Sequence, residues 1–184
     1  GTHGKTTTTS LIVQILSEAK LDPTYIIGGI INATGMNAKL GNSDYLIAEA
    51  DESDASFLHL QPMLSVITNI DEDHMATYNH NYAKLTEAFI NFTSNLPFYG
   101  VCVACIDDKG VQDILKKIHR PVLSYGFSND ADVKASNISQ DKMKMSFDVS
   151  CDKYEKNFPV TLNLIGRHNV LNALAAISVS LELD

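Results

Sequence analysis

The sequence has few cysteines, no long apolar run and no excess of positive charge. Three cysteines are too few for a disulfide framework. No apolar run approaches the ~20 residues of a membrane-spanning helix. Fourteen lysines and arginines against 22 aspartates and glutamates give a net charge of −8, which argues against non-specific binding to nucleic acid or an anionic membrane. We therefore expect no nucleic-acid partner, no membrane partner and a cytoplasmic location.

Cys102 and Cys105 form a C-x-x-C pair, which can indicate a redox centre or half of a zinc site. The surrounding run, 101–106, is typical of a buried strand. Residues three apart on a strand point to opposite faces, so neither a disulfide nor a shared metal is geometrically easy. We interpret both cysteines as buried structural residues.

The alternation of helical and strand-like segments predicts an α/β fold. The chain has 184 residues, 45% of them apolar, which is typical of one globular domain. Helical periodicity is clearest at 5–20 and 82–96. Buried strands are predicted at 45–48, 64–70, 101–106 and 122–125. Since helices alternate with strands, we expect a P-loop-type, mainly parallel sheet with helices on both faces.

Two regions depart from this alternation. Strand-like segments at 133–138, 144–151 and 157–164 have no helix between them, and they predict a small antiparallel ribbon near the C-terminal end. Near the start, 25–27 is predicted as a short strand that leads into a glycine turn. The polar segment 32–43 is predicted as a loop, which could contact substrate or be an ordinary surface loop.

Residues 1–10 contain the core of a phosphate-binding loop, Gly4-Lys5-Thr6. Glycine lets backbone N–H groups approach a phosphate closely. Lys5 supplies a cation for the β/γ-phosphates and Thr6 a hydroxyl for Mg²⁺. The helix that follows directs its amide-rich N-terminus at the anion. The full motif includes an earlier glycine and a strand before it, so we expect the sequence to begin inside its own motif.

Two predicted strands end in polar clusters, which should meet at one edge of a parallel sheet. The first runs into Glu49, a natural Mg²⁺ ligand or water-positioning group. The acids that follow it (Asp51, Glu52 and Asp54) could belong to the site or to a solvated loop or helix start. The second strand leads to His74, which could ligate a divalent metal or be structural.

The last predicted helix begins after Gly166 with a third polar cluster. Asn169 and Asn172 are three residues apart and share one face of its first turn. Amide side chains can pair with the N6/N7 edge of adenine. Asparagines near a helix start are more often caps, so both interpretations stay open.

Four segments together resemble the signature motifs of the Mur ligase family, the ATP-dependent amide ligases of peptidoglycan precursor synthesis in bacteria. They are residues 1–7, 49–54, 69–75 and 166–173, in the family's order and spacing. The resemblance covers essentially the whole chain. It implies that residues 1–184 are a central ATP-binding domain, without the N-terminal UDP-sugar domain, the C-terminal domain and the strand before the P-loop.

The resemblance also implies roles for individual residues. Lys5 would contact the β/γ-phosphates of ATP, Thr6 and Glu49 would hold one Mg²⁺, and His74 would hold a second. Lys5, Glu49 and His74 would be the catalytic residues. The nucleotide would contact Gly1, Thr2, His3, Gly4, Lys5, Thr6 and Thr7 at its phosphates and His168, Asn169 and Asn172 at adenine.

Within the family, the run 51–58 favours an enzyme that joins L-alanine to the carboxylate of UDP-N-acetylmuramate through an acyl phosphate. A ligase that recycles a murein tripeptide onto the same nucleotide sugar is one alternative, and an ATP-binding module without ligase activity is another. Residues 1–184 alone are expected to be inactive in ligation, because two domains of the family would be absent.

Overall fold

The computed structural model describes residues 1–31, 35–73 and 75–183. The α-helices are α1 (Lys5–Glu18), α2 (Tyr82–Ser94), α3 (Lys109–Leu115) and α4 (Arg167–Leu183). The strands are β1 (Thr24–Ile31), β2 (Met36–Lys39), β3 (Leu46–Ala48), β4 (Leu64–Ile67), β5 (Val101–Cys105), β6 (Val122–Gly126), β7 (Val133–Asp141), β8 (Lys144–Cys151) and β9 (Lys156–Leu162). Short 3₁₀ helices cover Ser56–His59, Met75–Tyr78 and Asp152–Tyr154.

The larger sheet has six strands in the order β4-β5-β6-β7-β8-β9. The pairs from β4 to β7 are parallel, and those from β7 to β9 are antiparallel. This arrangement confirms the mainly parallel α/β sheet and the antiparallel ribbon. In β8, Met145, Phe147 and Val149 are buried and alternate with more exposed residues, as expected where one face of an antiparallel strand meets a core.

Helices cover both faces of this sheet, and each face has its own core. α1 and α4 pack on one face around Leu16, Val103 and Leu174. α2 and α3 pack on the other around Leu85, Phe89 and Ile114. Of the helices that the structure describes, none combines the length and the apolar character needed to cross a membrane.

β5, which is paired with β4 and β6, lies between the two cores, which explains its unbroken apolar sequence. Cys105 belongs to the core under α1 and α4, and Cys102 belongs to the opposite core. The prediction that the C-x-x-C cysteines point to opposite faces is therefore confirmed. Both thiols are free, and burial raises the pKa of each to about 11.

The smaller sheet has three strands in the order β2-β1-β3, with β1 parallel to β3 and antiparallel to β2. The predicted glycine turn and the described part of the predicted loop over 32–43 are wrong in part, and residues 32–34 of that loop lie outside the described residues. β1 continues through Gly28 and Gly29, and residues 36–39 pair back onto it. All four residues of β2 are exposed, so this strand carries none of the burial periodicity from which strands are predicted.

A cavity of about 600 Å³ lies between β3 and β4, which are end strands of the two sheets as described. Residues of both strands line the cavity, and Gly1 and Lys5 of the phosphate-binding loop also line it. Within the described residues, no hydrogen-bonded strand joins the two sheets.

Candidate functional site

The segment after β4 holds the first residues of the phosphate loop. The Thr2 N–H donates to the Asn69 carbonyl (3.1 Å), and the Thr2 hydroxyl accepts from the Asp71 N–H (3.0 Å). The His3 N–H donates to Oδ1 of Asn69 (2.6 Å), while the His3 carbonyl accepts from the Thr68 hydroxyl (2.7 Å). The structure therefore brings the first and third sequence motifs together. The prediction that the strands before Glu49 and His74 end at one edge of a single sheet is wrong for the described residues, because β3 and β4 belong to different sheets.

Gly4 allows the loop to turn directly into α1. Its φ is +79°, and a Cβ at this position would lie 2.3 Å from Oδ1 of Asn172, so a side chain fits neither the backbone nor the space. Along α1, which is described in full, no side chain caps the N-terminus. The first-turn N–H groups of Lys5, Thr6 and Thr7 are therefore left to bind an anion.

Thr6 and Glu49 meet beside the loop. The Thr6 hydroxyl donates to Oε1 of Glu49 (2.9 Å), and the Gly28 N–H donates to Oε2 (2.9 Å). A Cβ at Gly29 would lie only 2.7 Å from the methyl group of Thr6. Sequence reasoning missed the role of this glycine pair, although glycines inside a strand-like run often mark a close approach of another group.

The oxygen atoms of Thr6 and Glu49 fit Mg²⁺. No group of three His, Cys, Asp or Glu side chains within residues 1–31, 35–73 and 75–183 could hold a metal ion. Mg²⁺ needs no such group, because it is commonly held by one or two protein oxygens together with phosphate and water. His74, the predicted ligand of a second Mg²⁺, lies outside the described residues.

Lys5 is paired with a buried carboxylate. Its Nζ lies 2.9 Å and 3.1 Å from the two carboxylate oxygens of Glu52, 3.2 Å from the Thr2 carbonyl and 3.6 Å from Oδ1 of Asp51. Glu52 is 1% exposed. The interpretation of Glu52 as part of a solvated loop is therefore wrong, whereas Asp51 and Asp54 are exposed. No sequence motif distinguished Glu52 from the acids beside it.

The hydroxyl of Tyr78 fixes the backbone of Glu52 by donating to its carbonyl (2.6 Å). Burial is the main cause that raises the pKa of Tyr78 to about 12, and the negative charge of Glu52 acts in the same direction. The hydroxyl therefore keeps its proton across the physiological range. Sequence reasoning missed Tyr78, because a lone tyrosine carries no pattern.

The asparagines of α4 connect to the phosphate loop. The Thr8 hydroxyl donates to Oδ1 of Asn172 (3.3 Å), and Nδ2 of Asn172 donates to Oδ1 of Asn169 (3.1 Å). Asn172 is buried beneath Gly4, Asn169 is half-buried and His168 is exposed. The fourth motif therefore adjoins the loop as expected, but both amides are engaged within the protein, since Nδ2 of Asn169 also donates to the Ile165 carbonyl (2.8 Å).

Comparison with known proteins identifies a family whose matched region contains all the site residues described above. Residues 1–180 match the family model described as the Mur ligase middle domain. The chain is 68% identical over 184 residues to the UDP-N-acetylmuramate–L-alanine ligase of Vesicomyosocius okutanii, and 66% identical to that of Ruthia magnifica. In both comparisons the whole chain is covered, but it spans only 39% of the relative's length.

Solved structures show the same fold. A UDP-N-acetylmuramate:L-alanyl-γ-D-glutamyl-meso-diaminopimelate ligase from Neisseria meningitides has a TM-score of 0.85 at 31% identity, covering 98% of this chain and 59% of that one. A UDP-N-acetylmuramate–alanine ligase from Thermotoga maritima has a TM-score of 0.84 at 27% identity, covering 100% and 40%. The chain belongs to the Mur ligase family.

Proposed function

We propose that the chain is the central ATP-binding domain of an ATP-dependent ligase that joins L-alanine to the carboxylate of UDP-N-acetylmuramate. The observation that best supports nucleotide binding is the hydrogen bond between Thr6 and Glu49 beside the uncapped N-terminus of α1. The choice of substrates rests on the named relatives at 66–68% identity. The alternative, a ligase acting on a murein peptide, has weaker support, because the relatives at 66–68% identity are both named as alanine ligases, whereas the murein-peptide ligase structure is 31% identical.

In this proposal the residues of the chain hold ATP and offset its charge. The first-turn N–H groups of α1 and the Lys5 ammonium bind the phosphates, and His168 and Asn169 lie at adenine, with Asn172 behind them. Thr6 and Glu49 would hold one Mg²⁺ and His74 a second. Bound Mg²⁺ would supply positive charge that lets an anionic nucleophile approach a phosphate.

The proposed reaction has two steps. The carboxylate of UDP-N-acetylmuramate attacks the γ-phosphorus of ATP, and ADP leaves to give an acyl phosphate. The amine of L-alanine then attacks the acyl carbon, phosphate leaves and an amide remains. The first step brings an anionic carboxylate to an anionic phosphate. The second builds negative charge on the carbonyl oxygen, and the amine proton leaves to solvent or to phosphate. Lys5 and the N-terminus of α1 therefore contribute mainly by electrostatic stabilisation.

We further propose that the cavity between β3 and β4 receives a strand that leads into Gly1. A strand there would pair with both sheets and hold the start of the loop. Since the chain spans 39% of its relatives, we also propose that ligation requires parts of the enzyme outside residues 1–184. Formation of the UDP-sugar–alanine product by residues 1–184 alone would contradict this.

Thermal unfolding with ATP and Mg²⁺ tests nucleotide binding without any need for turnover. At ATP concentrations about 100 times Kd, the melting temperature should rise by about 5–10 °C. The Mg²⁺-dependent part of this rise should be lost in Glu49→Gln and reduced in His74→Ala, but kept in the control Asp54→Asn, which changes an exposed carboxylate. If Mg²⁺ adds nothing in the unmodified chain, the metal assignment is wrong.

A further inference from the structure

We propose that Glu52 is a positioning residue that holds the Lys5 ammonium and must release it when ATP binds. This inference rests on the proposed function, because it concerns the lysine of the ATP site. Glu52 would act only through Lys5 and would not itself touch the nucleotide.

The contacts of Lys5 leave its charge already compensated. Its three N–H donors are matched by the two oxygens of Glu52 and the carbonyl of Thr2. Asp51 adds a second carboxylate at 3.6 Å. One ammonium facing two carboxylates presents little positive potential to a phosphate. Because no N–H donor of Lys5 is left over, Lys5 can bind a phosphate only when Glu52 releases the ammonium.

Of the two partners, Lys5 is the one that can move. Glu52 is 1% exposed, and its backbone carbonyl accepts hydrogen bonds from the Tyr78 hydroxyl (2.6 Å) and the Ala55 N–H (3.2 Å). The Lys5 side chain is 18% exposed, and its ammonium is carried on a flexible four-carbon stem. Glu52 therefore stays in place and recovers the ammonium when the nucleotide leaves.

This competition has two consequences for nucleotide binding. Part of the interaction between Lys5 and phosphate is offset by the broken contact with Glu52, so ATP and ADP both bind more weakly than they would to an unpaired lysine. Recapture of Lys5 also favours product release, a step that often limits turnover. Removing the charge of Glu52 should therefore tighten binding of both nucleotides.

Titration calorimetry of the 184-residue chain with ATP and with ADP tests the inference. Glu52→Gln keeps the side-chain volume but removes the charge, and it should lower both Kd values about tenfold, the factor expected for one charge-assisted hydrogen bond. Glu52→Asp restores the charge and should return the affinity toward that of the unmodified chain. Asp54→Asn is the matched control, since it removes a nearby charge that does not contact Lys5.

If Glu52→Gln binds ATP no more tightly than Asp54→Asn, the inference is wrong. If the unmodified chain binds no ATP, the proposed function is wrong and the inference falls with it. If the unmodified chain binds ATP but Glu52→Gln does not tighten binding, only the inference is wrong. A second measurement needs no variant. The ¹⁵N ammonium resonance of Lys5 should couple through its hydrogen bond to the Glu52 carboxyl carbon, and that coupling should vanish when ATP is added. Coupling that persists in the ATP-bound chain would also overturn the inference.

Discussion

At the scale of single residues, the pair of Lys5 and Glu52 links the phosphate loop to the segment after β3. Lys5→Met would leave Glu52 buried without its cation, and we expect a loss of about 3 kcal/mol in the free energy of unfolding. In the double variant with Glu52→Gln, most of this loss should be recovered. Urea unfolding of the two single variants and the double variant measures the coupling. Strictly additive losses would show that the two side chains do not stabilise each other.

These two residues differ in how far sequence could predict them. Lys5 follows from a motif whose spacing is dictated by the shape of a phosphate. Glu52 stands in a run of carboxylates, and hydropathy treats all of them as surface residues. Its burial depends on Lys5, 47 positions away, and on the Tyr78 hydroxyl. A long-range contact of this kind leaves no local pattern.

The buried thiols predict a dependence of stability on alkaline pH. Burial raises the pKa of Cys102 from 9.0 to about 11, so above pH 9 the unfolded chain loses a proton that the folded chain keeps. The contribution of this thiol is complete below pH 9 and is lost as the pH rises toward 11, by roughly 2 kcal/mol at pH 10.5. Cys105 adds in the same direction.

Urea unfolding at pH 8 and pH 10.5 measures this loss, and Cys102→Ala should show a smaller decrease than the unmodified chain. Equal decreases in the two proteins would mean that Cys102 ionises normally in the folded state.

At the scale of elements, β1 is the strand that sets the position of the proposed metal ligands. Because a Cβ at Gly29 would lie 2.7 Å from the Thr6 methyl group, Gly29→Ala should displace the Thr6 hydroxyl. We expect the Mg²⁺ concentration needed for half-maximal nucleotide binding to rise about tenfold. Ile30→Ala, at a 68% exposed neighbour on the same strand, is the control and should change little. Equal effects of the two variants would count against the contact.

The elements that sequence predicted well are those with a buried face. α1 and α2 carry apolar residues at helical spacing, and both begin at the predicted residue. The residues of β2 are all exposed, so hydropathy gives no sign of this strand. β1 extends beyond the predicted strand, because a glycine pair favours a turn in sequence-based prediction. A hydropathy pattern indicates which residues are buried. A fully exposed strand therefore has no such pattern and is recognised only from its hydrogen bonds to a neighbouring strand.

At the scale of the whole molecule, the two sheets should differ in local stability. β5 is covered on both faces and should have the slowest amide hydrogen exchange, whereas the core described at the small sheet is a small cluster of Val13, Tyr25 and Ile27. ATP with Mg²⁺ should slow amide exchange in β1 and β3 by up to about 100-fold when the ATP concentration is 100 times Kd. The reason is that a bound Mg²⁺ would then link Thr6 to Glu49.

Hydrogen exchange followed by mass spectrometry measures this change, with β9 as the internal reference that nucleotide should leave unaffected. Equal protection of β9 and β3 would indicate general stabilisation and contradict a bridge between Thr6 and Glu49.

The cavity between β3 and β4 also bears on how residues 1–184 alone behave in concentrated solution. Strand edges along an open cleft are templates for pairing with another chain, and within the described residues these two strands form the ends of their sheets. We therefore expect light scattering from solutions of the chain to grow steeply with concentration. A charged residue on the cleft edge, such as Leu46→Lys at a 64% exposed position, should suppress this aggregation without lowering the melting temperature.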